Sequence, residues 1–452
     1  MQHDRRPVVQ IGARAWTVLV CVFLALPISL RTQTDGVREL TILHLNDLHA
    51  RLLPDADGLG GFAHLATLLQ RERVTAGASI TLHAGDLVQG TPVSTLFEGV
   101  PAFELANFLG LDANCLGNHE FDYGWEKIGA FMDVARFPTI ATNVVNASGQ
   151  RLLPEAYLLR ESGGLRVAII GALMESVGPW GPWRAAPIVQ TLRPIVADAR
   201  GRADVVVVLG HLVRAEIEAI LRELPDVAVI VAGHNHGGLE EPLVIDGRIA
   251  VHAQGYGREV GRLRLRYDTR ANRVASHEWT RIAVDSTVYP ADSDTKAAVD
   301  RWESKVSALV DVPVGRASRR MLRDELREQI QRVLLDRYSA DVAFISRGEI
   351  RDVLPEGELL ARHLWNVSPY EDRVVTLDIS GERLLQVLNA QQPPALAAGI
   401  TPIRTDQRYR VATIDFFGRD WIGGFPDARM ADENLLLRDL FIGWVRDRGV
   451  VP

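Results

Sequence analysis

From Leu40 onward one rhythm repeats along the chain: an apolar run rich in β-branched residues, a loop of Gly, Asp and His, then apolar positions at helical spacing. The runs cover 40–46, 79–84, 113–116, 139–145, 165–173, 204–209, 227–232, 248–253 and 262–267. Several are apolar at nearly every position, 205–209 most clearly, which predicts strands covered on both faces. Between them Phe62, Leu65, Leu68 and Leu69 share one helical face within 62–73, and 215–224 repeats that spacing. Strands alternating with helices predict a layered α/β domain. The runs at 248–253 and 262–267 alternate and lie close in sequence, so an antiparallel arrangement is expected there.

The rhythm lapses over 284–300 into Asp, Ser, Thr, Pro and Ala, and a charged helix is expected over 302–309. A catalytic domain over 38–283, a linker and interdomain helix over 284–310 and a smaller mixed α/β domain over 311–452 follow from this. In the last of these the pattern predicts helices at 322–338 and 382–389 and strands at 341–345, 373–379 and 409–414. The Pro, Gly and Trp-rich stretch 177–187 reads as an irregular loop. At the other end, Arg5, Arg6 and Arg14 precede an uncharged run, 15–30, that is shorter than the ~20 residues a relaxed spanning helix needs. Residues 1–32 are therefore expected to be a secretory signal or, if uncleaved, a membrane anchor, and the protein to be periplasmic or extracellular.

Composition narrows the chemistry. With 452 residues and a net charge of −7, the chain is long enough for ~2–3 domains and lacks the basic surplus of a nucleic-acid binder. Only two cysteines occur, Cys21 and Cys115, which excludes a disulfide framework and a thiolate metal site. Twelve histidines leave His, Asp and Asn as the carriers of metal chemistry.

Those residues fall where successive runs end. Asp47 and His49 follow the first run, Asp86 the second, Asn118 and His119 the third, His211 the run at 204–209, and His234 and His236 the run at 227–232. Five strand ends delivering carboxylate, imidazole or amide ligands to one sheet edge describe a single site. A glycine stands directly before Asp86, Asn118, His211 and His234, as expected where the turn needs a positive φ or the backbone approaches the ion closely. Carboxylate, imidazole and amide oxygen without sulfur suit Mn, Zn, Co or Fe, and seven candidates exceed what one ion takes. Two divalent ions sharing a carboxylate would use them all, an arrangement suited to in-line displacement at phosphorus.

The chain resembles the calcineurin-like dimetal phosphoesterases, in particular their 5′-nucleotidase branch. The resemblance rests on Thr41-Ile-Leu-His-Leu-Asn-Asp-Leu-His49, Gly85-Asp-Leu-Val-Gln-Gly90, Gly117-Asn-His-Glu-Phe-Asp-Tyr-Gly124, Gly210-His211, Gly233-His-Asn-His236 and Gln254-Gly-Tyr-Gly-Arg-Glu-Val-Gly-Arg262. It implies an α/β/β/α catalytic domain followed by a substrate domain. Asp47, His49, Asp86 and His236 would hold one ion, and Asp86, Asn118, His211 and His234 the other, with Asp86 bridging. His119 would be the catalytic imidazole and Asp122 its carboxylate partner, while His44, His64, His83 and His252 match no ligand position. In the substrate domain the resemblance points to Arg351 and Arg320 as phosphate or nucleotide contacts, with Arg319 and Arg323 as alternatives in register, and to Tyr370 and Phe416 as the aromatics that stack a base.

Departures from the family pattern sit in that second domain. Ser346 replaces an amide, 420–425 replaces a Gly-Gly-Asp-Gly run, and the stretch between Asn389 and Tyr409 is short. The expected function is an exported metal-dependent hydrolase of nucleotides or related small phosphate esters, with no nucleic-acid polymer as partner. The alternative keeps the scaffold and changes the substrate: a cyclic phosphodiesterase, a nucleotide-sugar pyrophosphatase or a sulfur-ester hydrolase.

Overall fold

The computed structural model describes residue 1 and residues 36–390, 395–396, 402–417 and 429–452. The expected signal or anchor, with Cys21, and the run at 420–425 lie outside the described residues.

Alternate residues of one strand serve two cores. Val205, Val207 and Leu209 of Val205–His211 join Leu40, Ile42, Ile80, Leu82 and Cys115 in a cluster between two sheets. Val206 and Val208 point the other way, against Leu192, Val196, Ile217 and Ile220 of the helices Ile188–Arg202 and Arg214–Glu223. On the far side, Leu43 and Leu45 of Val37–Leu45 pack with Phe62, Leu65, Leu68 and Leu69 of the helix Phe62–Ala76. The layers are therefore helix, sheet, sheet, helix, and strands buried on both faces explain the unbroken apolar runs.

The first sheet has the order Arg273–Ala283, Glu259–Asp268, Val37–Leu45, Ser79–His83, Ala113–Cys115, Thr139–Ile140, with the last four parallel and the first two antiparallel. The second has the order Leu243–Ile245, Arg248–Val251, Val229–Gly233, Val205–His211, Leu165–Leu173, Leu158–Ser162, parallel except at its two edges. The runs expected at 248–253 and 262–267 thus part company. Arg248–Val251 is the second arm of a hairpin whose turn, Asp246-Gly247, has φ of 49° and 77°, the positive values a tight two-residue turn needs. Glu259–Asp268 crosses to the first sheet instead. The expected strand 139–145 also divides, because Asn143 turns inward to donate to the carbonyls of Leu173 and Ala186 at 2.7 and 3.1 Å.

The helix expected at 302–309 begins earlier, spanning Ser293–Val310. Asp292 starts it by accepting from the Thr295 amide at 2.9 Å, a cap drawn from the polar stretch 284–300. Its Ala298, Val299, Val306 and Val310 are buried in the core of the first domain, and it also touches the helix Ala361–Val367 of the second. The second domain is a sheet ordered Ala395–Leu396, Val342–Ala343, Arg408–Ile414, Arg373–Ser380, Arg429–Leu436. The helices Arg323–Tyr338 and Leu437–Arg448 contribute Leu326, Ile330, Phe441 and Val445 to its core. Cys115 is a free thiol whose pKa burial pushes up to about 12, so it is chemically quiet. No helix among the described residues is long and apolar enough to cross a membrane.

Candidate active site

Strand ends from both sheets converge on one edge. Asp47, His49, Asp86, Asn118 and His119 follow strands of the first sheet, whereas His211, His234 and His236 end or follow strands of the second. The single sheet edge expected from the sequence is thus a seam between two sheets, with candidate ligands on either side.

Sharp backbone reversals bring these side chains inward. Asp47, His49, Asp86 and His234 have φ of 50°, 47°, 59° and 89°, a conformation that costs of order 1–3 kcal/mol per residue and persists only where neighbours enforce it. Enforcement comes from amide hydrogen bonds, Asp47 to the Gly85 carbonyl at 2.9 Å and His49 to the Asp86 carbonyl at 3.0 Å. The preceding glycines serve two different needs. Gly85 has φ of 87°, whereas Gly117 has none of that strain and is required because a Cβ there would lie 2.1 Å from Asp86 Oδ1.

Two groups of three could each hold an ion: Asp47, His49 and His236, and Asp47, Asp86 and His211, with ligand atoms within 4.8 Å of one another. Asp47 belongs to both. Asp86 Oδ2, the bridge the resemblance implies, lies 3.0 Å from His211 Nε2 and 3.7 Å from His49 Nε2, between the two groups. Asn118 Oδ1 is buried without a hydrogen-bond partner, and the His234 ring meets the His211 ring edge-on at 5.2 Å.

The imidazoles are oriented alike. Nδ1 of His49 faces the Val88 carbonyl at 3.2 Å, Nδ1 of His211 the Ala84 carbonyl at 2.8 Å, and Nδ1 of His236 the Tyr256 hydroxyl at 3.1 Å. Each outer contact occupies one ring nitrogen and turns Nε2 toward the carboxylates, the arrangement of metal-binding histidines. A buried Asn118 Oδ1 without a hydrogen-bond partner, with a donor set free of sulfur, fits divalent metal. Charge agrees. Burial acts against ionisation of His211, yet Asp86 and Asp47 outweigh it and push its pKa up to about 10. Burial likewise opposes the Asp47 charge, but His236 and His211 hold that carboxyl well below its usual range. The two buried carboxylates thus stay ionised, which suits them to hold cations.

His119 stands beside this cluster. Its Nδ1 lies 2.7 Å from Asp122 Oδ2, its amide donates to Asp86 Oδ1 at 3.0 Å, and its ring is 5.2 Å from His49 and 5.8 Å from Tyr370. Burial lowers its pKa, but Asp122 and Asp86 more than compensate and the net shift is upward. Asp122 in turn accepts from Gln89 Nε2 at 3.3 Å. Arg351 enters from the second domain, buried, with Nη2 donating to His49 Nε2 at 2.9 Å and 3.3 Å from His236 Nε2.

A cavity of about 930 Å³ opens from Asn118 and His119 and is lined further along by Arg351, Tyr370 and Phe416. Three of the four substrate residues expected from the resemblance are thus brought together with His119. Arg320 is not among them: it lines the neighbouring cavity and pairs with Asp57 at 2.9 Å. Of its register alternatives, Arg319 pairs with Glu325 and Arg323 donates to the Ile350 carbonyl. Ser346 is committed elsewhere, donating to Glu349 at 3.2 Å and accepting from the Gly348 amide at 3.1 Å.

Residues 40–238 match the calcineurin-like phosphoesterase family, and residues 309–401 match the 5′-nucleotidase C-terminal domain. The chain is a calcineurin-like phosphoesterase of the 5′-nucleotidase type. It is similar to Endonuclease YhcR of Bacillus subtilis, 25% identical over 78% of this chain but only 33% of that longer protein. A 5′-nucleotidase of Vibrio parahaemolyticus is 26% identical over 78% of this chain and 75% of its own. In fold it is similar to the crystal structure of a 5′-nucleotidase precursor from Thermus thermophilus, with a TM-score of 0.82, 24% identity and coverage of 92% of this chain and 97% of that one. The family is one of phosphoric-ester hydrolases and implies divalent metal, in keeping with the two ligand groups.

Two residues of this phosphoesterase carry weight that its sequence did not reveal. The buried carboxyl of Glu120 accepts from the amides of Gly117, Leu87 and Asp86 at 2.6, 2.7 and 3.1 Å, so it clamps the loops that present Asp86 and Asn118. Tyr256 orients His236 and lies against His49, its ring 5.5 Å away. Glu120 was visible in the motif, but only the fold tells an acid that faces amides from one that faces a cation. His44, His64 and His83 are engaged by Trp279, the Tyr289 carbonyl and Asn114, whereas His252 Nε2 lies 3.9 Å from Asp47 Oδ2 at the rim of the cluster.

Proposed function

We propose that this phosphoesterase releases inorganic phosphate from small phosphomonoesters, nucleoside 5′-monophosphates foremost, after export from the cytoplasm. Asp47, His49, Asp86 and His236 would hold one divalent ion, and Asp86, Asn118, His211 and His234 a second. Those ions would supply positive charge that polarises the phosphoryl group and an acidified water. Arg351, a fixed cation with planar donors, would bind phosphoryl oxygens. His119 donates through Nδ1 to Asp122, which leaves Nε2 to protonate the departing oxygen or stabilise charge on it. Tyr370 and Phe416 would flank the leaving group, and stacking of that kind tolerates more than one ring.

The observation that carries this reading is the His119–Asp122 contact of 2.7 Å beside two metal-compatible groups and an arginine from the second domain. Export rests on the sequence of residues 1–32 alone. The test is hydrolysis after reconstitution with Mn²⁺, Zn²⁺ or Co²⁺, read as inorganic phosphate or p-nitrophenol from nucleoside monophosphates and p-nitrophenyl phosphate, and as the nucleoside monophosphate formed, by chromatography, from a cyclic nucleotide and a nucleotide sugar. Turnover of several monophosphates is expected. Turnover of only the cyclic nucleotide or the nucleotide sugar would favour the alternative, and no turnover at all would refute the reading.

A further inference from the structure

The irregular stretch 177–187 supplies no candidate ligand and no candidate catalytic group, yet it reaches the cavity that His119 lines. Gly178 and Trp180 both form part of that wall, and they do so from the first domain. The backbone there is fixed. Trp180 and Trp183 exchange amide-to-carbonyl hydrogen bonds at 2.8 and 3.0 Å, and the Trp183 ring lies 6.0 Å from that of Trp125. The indole of Trp180 lies nearly flat on Phe121, with ring centroids 3.8 Å apart and 13° between the planes. Phe121 is buried and belongs to the same 3₁₀ turn as His119, so the indole and the imidazole are held in register by one short segment.

Trp180 is nevertheless only half-buried. A Cβ at Gly178 would press on the six-membered ring of the indole at 3.0–3.2 Å, so glycine leaves that part of the ring bare. An apolar surface that is rigid before anything binds loses little freedom when a second ring settles on it. A nucleoside base offers such a ring, whichever base it is. A flexible alkyl leaving group does not.

We infer that Trp180 is a specificity-determining residue, the first-domain wall against which a planar leaving group lies as its ester oxygen meets His119. This rests on the phosphoesterase reading of the site and adds a residue from the first domain to the aromatics of the second. The class it favours is phosphate esters of nucleosides over phosphate esters of aliphatic alcohols.

The test is binding of adenosine to the metal-loaded full chain, followed by tryptophan fluorescence and by calorimetry. Adenosine should quench the wild-type fluorescence. In Trp180→Phe that quench should disappear while affinity stays within about threefold, since phenylalanine still offers a ring. In Trp180→Ala affinity should fall at least about fivefold, the lower end for a lost base–aromatic stack. Inorganic phosphate has no ring to stack, so its affinity should stay within about twofold in both variants. Absence of adenosine binding to the wild type, a quench that survives in Trp180→Phe, or unchanged affinity in Trp180→Ala each overturns the inference. If Trp180→Ala loses phosphate affinity as well, the turn beneath the indole has moved, and the Trp180→Phe comparison decides. Adenosine carries no phosphate, so its binding is decided separately from hydrolysis. Failure to release phosphate from any ester would refute the proposed function alone.

Discussion

A histidine meets a carboxylate three residues later only where the chain is tightly wound. His119–Phe121 is a single 3₁₀ turn, in which side chains at i and i+3 lie one above the other, and it sets His119 against Asp122. If that pair protonates the leaving oxygen, His119→Ala should lower kcat by about 10²–10⁴ while metal content stays unchanged. Metal analysis beside steady-state kinetics separates this from a ligand role, in which metal would go too. Tyr256→Phe should do the reverse. Removing the hydroxyl frees His236 Nδ1 and should weaken metal affinity by about 10–100-fold, read by metal titration, and unchanged affinity would show that the hydroxyl does not orient the ring. The sequence showed the first pair and not the second, for a physical reason. His119 and Asp122 are neighbours on one turn, whereas Tyr256 and His236 are joined only after the chain passes from one strand end through an intervening hairpin.

Among the elements, legibility followed burial. Leu165–Leu173 and Val205–His211 are covered on both faces, and their apolar runs declare them. Arg273–Ala283 is a long strand that the pattern missed, because most of its residues face solvent and nothing forces them to be apolar. The turns between strand and loop carry the chemistry, and there packing is tight enough to predict a failure. Gly117→Ala would place a methyl group 2.1 Å from Asp86 Oδ1 and 2.7 Å from the Asp86 amide. Neither atom can retreat freely, since Oδ1 accepts from the His119 amide and the Asp86 amide is held by Glu120. The variant is expected to retain its far-ultraviolet circular dichroism yet to bind at least tenfold less metal at a limiting concentration. Wild-type metal affinity in Gly117→Ala would mean that the loop can shift without moving the carboxylate, and that Asp86 does not need this position to bind.

At the scale of the whole molecule, the site is where separate parts are joined. Its carboxylates and imidazoles come from two sheets that share an apolar core, and Arg351 reaches it from the second domain. The α/β/β/α layering and the second domain were legible because each has its own buried pattern. The seam was not, because which strand ends face one another is a property of two sheets at once. In this arrangement the buried carboxylates of Asp47 and Asp86 and their surrounding imidazoles come together only in the native chain, so cations bound between them would favour the folded state. A ligand that binds only the native chain stabilises it by RT ln(1 + [L]/Kd), about 2.7 kcal/mol at a hundredfold excess over Kd. At ~2–4 °C per kcal/mol for large domains, chelation should lower Tm by about 5–10 °C, and restoring Mn²⁺ or Zn²⁺ should bring it back. His119→Ala should show the same shift despite its lost turnover, which separates stabilisation by metal from catalysis. An unchanged Tm after chelation, with metal loss verified by elemental analysis, would show that the seam holds without cations and that the strained turns at Asp47, His49 and Asp86 are maintained by their amide hydrogen bonds alone.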